Sequence, residues 1–230
     1  MMEEKGLRHE WKIAVSRADL LALRTRLSLI AQTDRYAVGD HGLYFIRSLY
    51  FDSPEDHVLR EKLDGVNFRE KFRIRYYNHD TSLIHLEKKT KRDTVGKKDK
   101  AVLTLAQAQA IVDGDTAWMA ISDQALIREL HAKMHTHGLR PKTIVDYTRE
   151  AYTYPAGQVR ITLDYDLRTG VNCTQAFDAD CPTVAPPDTP DILEVKWSSF
   201  LPDIIRDIVQ LDGGRQVSAF SKYAQCRLYM

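Results

Sequence analysis

Several segments of the chain alternate between apolar and polar residues, which is the pattern of half-buried β-strands. Turn-forming residues separate them, and residues 79–81 and 155–157 read as the turns of two hairpins. This hairpin spacing predicts an antiparallel sheet that closes into a barrel, rather than a parallel βαβ fold. Strands are expected over 7–14, 43–51, 68–78, 82–91, 142–154, 158–167 and 192–197.

Capping signals predict the helices between these strands. Ser16 with Asp19 and Thr104 with Gln107 have the spacing at which a helix start satisfies its own backbone N–H groups. Glycines after apolar periodic segments mark helix ends. Longer helices are therefore expected over 16–30, 104–114 and 123–138, with shorter ones over 54–65, 202–211 and 217–229.

The segment around Phe72 separates charged from apolar residues by strand parity. Successive side chains of a strand point to opposite faces, so residues of equal parity share a surface. One face receives four cations in a row, and four apolar residues fall on the other face. The cations are Arg69, Lys71, Arg73 and Arg75, and the apolar residues are Phe68, Phe72, Ile74 and Tyr76.

Other predicted strands repeat this separation, and nearly every one has a charged face. The charged sets are Glu10 with Lys12; His85, Glu87, Lys89 and Lys91; Tyr147 with Arg149; Arg160, Thr162, Asp164 and Asp166; and Glu194 with Lys196.

Two interpretations of the charged faces stay open at this point. Alternation alone slightly favours solvated outer faces of a sheet whose other side forms the core. A row of arginine and lysine repels itself, however, unless carboxylates or a bound polyanion relieve it. The second interpretation is therefore an inverted barrel, charged inside and apolar outside, with helices covering the apolar surface.

Composition restricts the class and the compartment. The 230 residues carry a net charge of +1, so a basic surface must come from the arrangement of charges. Cys173, Cys181 and Cys226 are odd in number and lack C-x-x-C spacing, which argues against a disulfide framework or a zinc knuckle. Residues 1–11 are too charged for a signal peptide, and no apolar run is long enough to span a bilayer. We expect a cytoplasmic location, with a membrane-protein partner left open.

Several common sites can be set aside. There is no G-x-x-x-x-G-K-[ST] and no G-x-G-x-x-G motif, so phosphate binding would have to use side chains. The closely spaced His131, His135 and His137 are expected to be solvated or packed. Ser221 and Asp164 lack a histidine placed by any hydrolase motif. Residues 97–100 form either a solvated loop or a guide for an anion.

Seven short motifs, taken in order, resemble a known family. They are R-H-E-W-K at 8–12, S-L-Y-F-D at 48–52, K-F-R-I-R-Y-Y at 71–77, L-E-K-K-T-K at 86–91, Y-T-R-E-A-Y at 147–152, L-E-V-K at 193–196 and F-S-K-Y at 220–223. Together they resemble the triphosphate tunnel metalloenzymes (CYTH-like proteins). Within that superfamily the resemblance is to the polyphosphate polymerase domain of the vacuolar transporter chaperone (VTC) complex and its stand-alone bacterial relatives.

The resemblance implies an α+β fold in which one domain over residues 1–230 forms an eight-stranded antiparallel β-barrel tunnel with peripheral helices. Basic side chains would hold phosphate and carboxylates would hold a divalent metal, Mn²⁺ or Mg²⁺. The implied catalytic phosphate ligands are Lys12, Arg73, Arg75, Lys89, Arg149 and Lys222, with Tyr147 beside them. The implied metal ligand is Glu194, with Glu10 and Glu87 as second choices. Lys91, Lys97, Lys98, Lys100 and Lys196 would guide or bind the anionic substrate.

The activity that this resemblance implies is transfer of the γ-phosphate of ATP to a growing inorganic polyphosphate, with release of ADP. One alternative is a metal-dependent triphosphatase of the same fold, although Arg8 stands where the family's hydrolases have the first glutamate of E-x-E-x-K. A second is a non-catalytic polyphosphate-binding module. Nucleic acid is not expected, because the aromatic residues near Phe72 fall on the face away from the cations.

Overall fold

The computed structural model describes residues 9–34, 42–93, 95–171, 173–211, 215–216 and 220–228. The strands are β1 (His9–Val15), β2 (Gln32–Thr33), β3 (Leu43–Asp52), β4 (Phe68–Tyr77), β5 (Asp80–Arg92), β6 (Val95–Leu103), β7 (Arg140–Tyr154), β8 (Val159–Gly170), β9 (Thr183–Val184), β10 (Asp191–Trp197) and β11 (Arg215–Gln216). The helices are α1 (Arg17–Ser28), α2 (His57–Leu63), α3 (Leu105–Asp113), α4 (Ala125–His137), α5 (Asp203–Val209) and α6 (Lys222–Arg227), with 3₁₀ turns at Ala117–Ile121 and Ala156–Gln158.

The strands form one antiparallel sheet, which confirms the predicted fold class. The strand order is β11-β1-β10-β8-β7-β3-β4-β5-β6, with β2 paired to β7 and β9 paired to β8. The sheet has more strands than the implied eight because β2, β9 and β11 are additional two-residue strands. Within the part of the chain that the structure describes, no pairing joins the end strands β11 and β6.

The chain divides into two compact units. The first comprises Met1–Tyr44, Tyr147–Leu167 and Asp188–Phe220, and the second comprises Phe45–Asp146, Arg168–Pro187 and Ser221–Met230. Strands β3, β7 and β8 each continue from one unit into the other. The single domain over residues 1–230 stays a prediction.

In the second unit, the apolar faces of β4 and β5 lie in a core with helices α3 and α4. Phe72, Ile74 and Leu86 are almost completely buried there. Ile111 of α3 and Leu130 of α4 belong to the same cluster. Strand parity therefore correctly predicts which side chains of these strands form the core.

In the first unit, helix α1 supplies the apolar residues that cover the sheet. Leu23 and Leu27 are fully buried in a cluster with Leu163 of β8 and Leu193 of β10. The same helix is fixed by Arg24, which makes a bidentate ion pair with the buried Glu150, at 2.5 Å between Nη2 and Oε1. The buried Glu150 carboxylate is thus compensated by a guanidinium group that is itself partly exposed to solvent.

The predicted helix caps are largely confirmed. Both Ser16 with Asp19 and Thr104 with Gln107 form reciprocal capping boxes. Gly114 and Gly138 end α3 and α4 in the left-handed conformation that glycine adopts without a Cβ clash. The predicted start of α4 at residue 123 is wrong by two residues, because Gln124 precedes the helix and makes no side-chain cap.

Other element boundaries differ from the prediction. The turn between β4 and β5 is tighter than 79–81, because Asn78 and His79 both adopt positive φ. Residues 97–100 belong to strand β6, so the loop interpretation is wrong. The last helix covers only Lys222–Arg227, and residues 217–219 and 229 lie outside the described part of the chain, as do residues 7 and 8 of the first predicted strand.

The cysteine prediction is wrong. Cys173 and Cys181 form a disulfide that closes a short loop, and Cys226 is buried and free. An odd number of cysteines means only that they cannot all be paired, and it does not exclude a single disulfide between two of them. Cysteine usage therefore gives no support for a reducing compartment.

None of the described helices has both the length and the apolar composition that crossing a membrane requires.

The turn at Gly157 gives a stability prediction. Gly157 has φ +71°, and a Cβ there would lie 2.1 Å from the carbonyl oxygen of Phe200. Gly65 has φ +72° with nothing within 4 Å of a Cβ. Urea unfolding should show that Gly65→Ala costs about 1 kcal/mol for the left-handed backbone alone. Gly157→Ala should cost about 3 kcal/mol or more because the backbone must also move. Equal losses would contradict the predicted clash.

Candidate functional site

The charged faces of the strands are buried in part. Glu87 is 1% exposed, Arg75 5% and Glu194 8%, whereas Lys89, Lys98 and Lys100 are exposed. The solvated interpretation therefore fails for the buried charges and holds for the exposed ones. Charges removed from water in this way need opposite charges or a bound ion.

In the second unit the register of three strands assembles a group that we call the basic cluster. Arg73 lies opposite Glu87, and Lys71 lies opposite Lys89. Among the residues that β4, β5 and β6 place on this face, Glu87 is the single carboxylate of the described strands. The basic cluster consists of Lys71, Arg73 and Arg75 of β4, Glu87 and Lys89 of β5, and Lys98 and Lys100 of β6.

Glu87 is the internal counter-ion of the basic cluster. Its Oε2 accepts from Arg73 Nη2 at 2.6 Å and from Arg73 Nε at 2.8 Å. Its Oε1 lies 2.5 Å from Lys98 Nζ and 3.6 Å from Lys100 Nζ. Burial alone would raise the pKa of Glu87, but the surrounding cations hold that pKa well below its usual value. Burial lowers the pKa of Lys98 to about 8, although Glu87 opposes the shift.

Strand β3 supplies hydroxyl acceptors that orient the two arginines. Arg75 Nε donates to Ser48 Oγ at 2.9 Å, and Arg73 Nη1 donates to the Tyr50 hydroxyl at 2.7 Å. These contacts fix the orientation of the guanidinium groups. Burial would raise the pKa of Tyr50, but Arg73, Lys71 and Arg75 outweigh burial and lower the pKa to about 7. The environment of Tyr50 is thus strongly positive.

The remaining sequence-predicted residues of the second unit occupy separate positions. Lys222 is the half-buried first residue of α6. Lys91 lies near the end of β5 opposite Gly96, on the same face as Lys89. Lys97 has the opposite parity from Lys98, pairs with Asp99 at 2.8 Å and has a largely exposed side chain. Lys97 therefore does not join the basic cluster.

In the first unit the register of β1 and β10 brings two carboxylates and two lysines together. We call Glu10 and Glu194 the carboxylate pair. Lys12 Nζ lies 3.1 Å from Glu10 Oε1 and 3.6 Å from Glu194 Oε1. Lys196 Nζ lies 3.4 Å from Glu10 Oε1 and 2.6 Å from Glu194 Oε2. The two lysines thus bridge both carboxylates.

The environment of Glu194 keeps its carboxyl group ionised. Burial would raise the pKa of Glu194, but a hydrogen bond with Glu10 opposes that effect. The positive charges of Lys196, Arg149 and Lys12 then hold the pKa well below its usual value.

Arg149 of β7 belongs to the same unit. Its Nε and Nη2 donate to Asp164 Oδ1 at 2.5 Å and to Asp164 Oδ2 at 2.7 Å. Its guanidinium carbon lies 5.4 Å from the centre of the Tyr147 ring. Burial by itself lowers the pKa of Arg149, but Asp164 and Tyr147 outweigh burial and raise it. Arg149 is therefore a permanently charged, oriented cation.

The two aspartates of β8 separate in the structure. Asp164 is buried against Arg149, whereas Asp166 has positive φ and pairs with the exposed Arg17 of α1. Thr162 lies opposite Glu194, and its buried Oγ1 has no hydrogen-bond partner among the described residues. The Thr162 hydroxyl oxygen is thus a candidate metal ligand on the face of the carboxylate pair. Sequence reasoning did not predict this role for Thr162.

The carboxylate pair suits a hard divalent cation. Mg²⁺ and Mn²⁺ prefer oxygen ligands and are often held by one or two carboxylates together with substrate phosphates. Glu10 and Glu194 supply two carboxylates, and the orphaned Thr162 oxygen lies on the same face. No group of three histidine, cysteine, aspartate or glutamate side chains that could hold a metal occurs in the described residues. His131 and His135 approach to 3.0 Å between their Nε2 atoms but form only a pair.

Sequence reasoning missed two residues that orient the predicted phosphate ligands. Ser48 and Tyr50 both lie in the S-L-Y-F-D motif, and their equal parity placed them together on one face. Their equal parity was visible in the sequence. Parity cannot predict the order of strands in the sheet, however, and so could not show that β3 lies beside β4.

Comparisons with known proteins agree with this geometry. A family model described as VTC domain matches residues 7–230. A "putative adenylate cyclase" of Bacillus halodurans has a similar structure, with TM-score 0.50, 13% identity, and coverage of 90% of this chain and 87% of that one. The PH1819 protein of Pyrococcus horikoshii is similar with TM-score 0.42 and 13% identity, over 87% of this chain and 82% of that one. No curated protein sequence matches the chain.

The antiparallel sheet with helix-covered apolar faces and a basic face on β4, β5 and β6 defines an α+β fold similar to that of the Bacillus halodurans structure. At this level of identity the structural likeness shows the fold alone. The family match covers nearly the whole sequence, and the chain belongs to the VTC domain family.

The lowered pKa of Tyr50 gives a prediction about pH. Absorbance of tyrosinate should reveal one group titrating near pH 7, and Tyr50→Phe should remove it. The pKa of tyrosine in an unfolded chain is about 10, so Tyr50 should stabilise the fold increasingly as pH rises from 7 to about 10. That contribution is lost as pH falls through 7. Identical titration curves for the two proteins would contradict this prediction.

Proposed function

We propose that the chain is a polyphosphate polymerase that transfers the γ-phosphate of ATP to an inorganic polyphosphate and releases ADP. The observation that supports this proposal most is the basic cluster, in which lysine and arginine side chains of three strands share one face with the single carboxylate Glu87. Such an excess of positive charge favours the binding of a polyanion. Membership of the VTC domain family supports the same substrate class.

The chemistry of phosphoryl transfer fits this arrangement. The transition state spreads negative charge over the equatorial oxygens, so catalysis depends mainly on positioning and on fixed positive charge. Arg73 and Arg75 can each hold phosphate through two parallel hydrogen bonds, and Ser48 and Tyr50 already orient them. Because the Ser48 hydroxyl is neutral, the charge of Arg75 stays available for phosphate.

The carboxylate pair would hold the divalent metal in this proposal. A bound Mn²⁺ or Mg²⁺ neutralises phosphate charge and orients the oxygens that it contacts. Glu194 is the proposed principal ligand because its low pKa keeps it ionised. Lys12 and Arg149 lie in the same unit as Glu194, and Asp164 fixes the orientation of Arg149. Both cations would interact with oxygens of a phosphate bound beside the metal.

The partners follow from the same chemistry. ATP and inorganic polyphosphate are the proposed ligands, and Lys98 and Lys100 would guide the polymer. Lys91, on the face of Lys89 near the end of β5, would guide the polymer as well. Lys97 would contribute only long-range attraction, since it lies on the other face of β6. A cytoplasmic location and a membrane-protein partner belong to this proposal.

A metal-dependent triphosphatase is the second candidate, because the carboxylate pair could hold a metal that activates water. Arg8 in place of the hydrolase glutamate favours the polymerase. A non-catalytic polyphosphate-binding module would use the basic cluster without turnover.

A product assay separates these functions. Purified protein incubated with ATP and Mn²⁺ should yield polyphosphate and ADP in step, with little free phosphate. Free phosphate without polymer would support the triphosphatase. Polyphosphate binding without turnover would support the module. The Bacillus halodurans structure bears a cyclase name, so cyclic AMP should be followed too, and its formation would contradict the proposal.

Substitutions in the basic cluster should affect activity more than folding. Arg73→Ala and Arg75→Ala each remove an oriented phosphate ligand and should lower kcat/KM by about 100-fold or more. Arg60→Ala removes an exposed arginine of α2 in the same unit and should leave kcat/KM within about twofold of wild type. Equal effects of the three substitutions would contradict a specific role for the cluster.

Glu194→Gln tests the proposed metal ligand. The amide keeps the shape of the side chain but lacks the charge that favours a divalent cation. The variant should need about tenfold more Mn²⁺ for half-maximal activity. Glu61→Gln, at a half-buried glutamate of α2, is the matched control and should leave the Mn²⁺ requirement unchanged. An unchanged requirement in Glu194→Gln would exclude this role.

A further inference from the structure

Tyr223 lies at the centre of buried contacts around the start of helix α6. Its side chain is 1% exposed, and its ring centre lies 5.1 Å from that of Tyr50. Its hydroxyl donates a hydrogen bond to Asp52 Oδ2. The resemblance carried by residues 220–223 implies that Lys222, its immediate neighbour, is a phosphate ligand of the proposed polymerase, but it gives Tyr223 itself no role.

Asp52 is a rigid acceptor for this hydroxyl. The carboxylate is completely buried, and its Oδ1 accepts backbone N–H groups of Ser53 and Val58, each at 2.8 Å. Its Oδ2 accepts the N–H of Leu59 at 3.1 Å and the Tyr223 hydroxyl. Four donors around one buried carboxylate hold it in a single orientation. The hydroxyl of Tyr223 is therefore tied to β3 and to the start of α2.

Helix α6 is too short to be stable by itself. It has six residues, and isolated helices of this length do not persist in water. Its other anchor is Arg227, whose Nε and Nη2 each lie 2.9 Å from the Asp56 carboxylate. Lys222 is at the opposite end, between Tyr223 and the N-cap Ser221, whose Oγ accepts from the Ala224 N–H at 3.4 Å. Tyr223 is the residue that ties this end to the buried Asp52.

Tyr50 connects Tyr223 with the basic cluster. One edge of Tyr50 carries the hydroxyl that accepts from Arg73, and its ring contacts Tyr223. A lysine side chain loses much rotamer freedom when it binds phosphate. If the lysine backbone is already fixed, less conformational entropy is lost when the side chain binds phosphate, and the affinity is higher.

We propose that Tyr223, anchored on Asp52, is a positioning residue that sets the backbone of Lys222 for phosphate binding. The inference rests on the proposed role of Lys222 as a phosphate ligand. Tyr223 touches no substrate in this proposal and acts only through its neighbour.

A double-mutant cycle tests this inference with tripolyphosphate as the probe and calorimetry as the measurement. Tyr223→Phe keeps the ring and removes the hydrogen bond, and it should weaken tripolyphosphate binding about tenfold. Lys222→Ala should also weaken binding. Tyr223→Phe in the Lys222→Ala background should have almost no further effect, because a positioning residue loses its role when its target is absent.

Tyr152→Phe is the matched control. Its hydroxyl donates to the buried Glu150 at 3.0 Å, so the variant loses a comparable buried hydrogen bond in the first unit. Tripolyphosphate affinity should stay at the wild-type value in this control. All variants are compared at a temperature at which circular dichroism shows them folded. If the Tyr223→Phe variant does not fold, the Asp52→Asn variant takes its place in the cycle, because it weakens the same hydrogen bond.

The outcomes distinguish this inference from the proposed function. Weak binding by Lys222→Ala together with unchanged binding by Tyr223→Phe would overturn the inference alone. Additive losses in the double variant would overturn it as well, since they would show that Tyr223 acts independently of Lys222. Wild-type affinity in Lys222→Ala would refute the ligand role of Lys222 and, with it, the inference.

Discussion

The structure depends on how positive charge is compensated on one face of β4, β5 and β6. Arginine and lysine side chains on this face repel one another, and burial strengthens that repulsion around Arg75, where water screens it least. Glu87 relieves part of it by contacting Arg73 and Lys98 together. The hydroxyl groups of Ser48 and Tyr50 each accept one further hydrogen bond from Arg75 and Arg73. The face is therefore ordered while its net positive charge is preserved, which is the condition for binding a polyanion.

The apolar sides of the same strands make this arrangement possible. Phe72 and Ile74 anchor β4 against α3 and α4, so the strand cannot turn its cations toward bulk solvent without exposing the core. In the first unit, α1 covers Leu163 and Leu193 in the same way, while Glu194 lies on the charged face of β10. Hydrophobic burial thus supplies the free energy that holds charged side chains in an unfavourable environment.

Sequence reasoning could predict properties that depend on short spacings. Parity separated Arg73 from Phe72, and local capping signals located α1 and α3. It could not predict properties that depend on which strands become neighbours. The contact of Tyr50 with Arg73 requires β3 beside β4, and the bridge from Lys12 to Glu194 requires β1 beside β10. The disulfide was missed for a related reason, since pairing depends on the path of a loop.

The carboxylates that could bind a metal differ in their surroundings, and these surroundings depend on which strands are neighbours in the sheet. Glu87 is surrounded by cations, with Arg73 on one oxygen and Lys98 on the other, so a divalent ion there would face strong repulsion. Glu194 instead has a second carboxylate beside it, and the two lysines that bridge the pair carry flexible side chains. A divalent cation can replace those lysine contacts while keeping both oxygens satisfied. These differences favour the carboxylate pair for the metal and leave Glu87 as the counter-ion of the basic cluster.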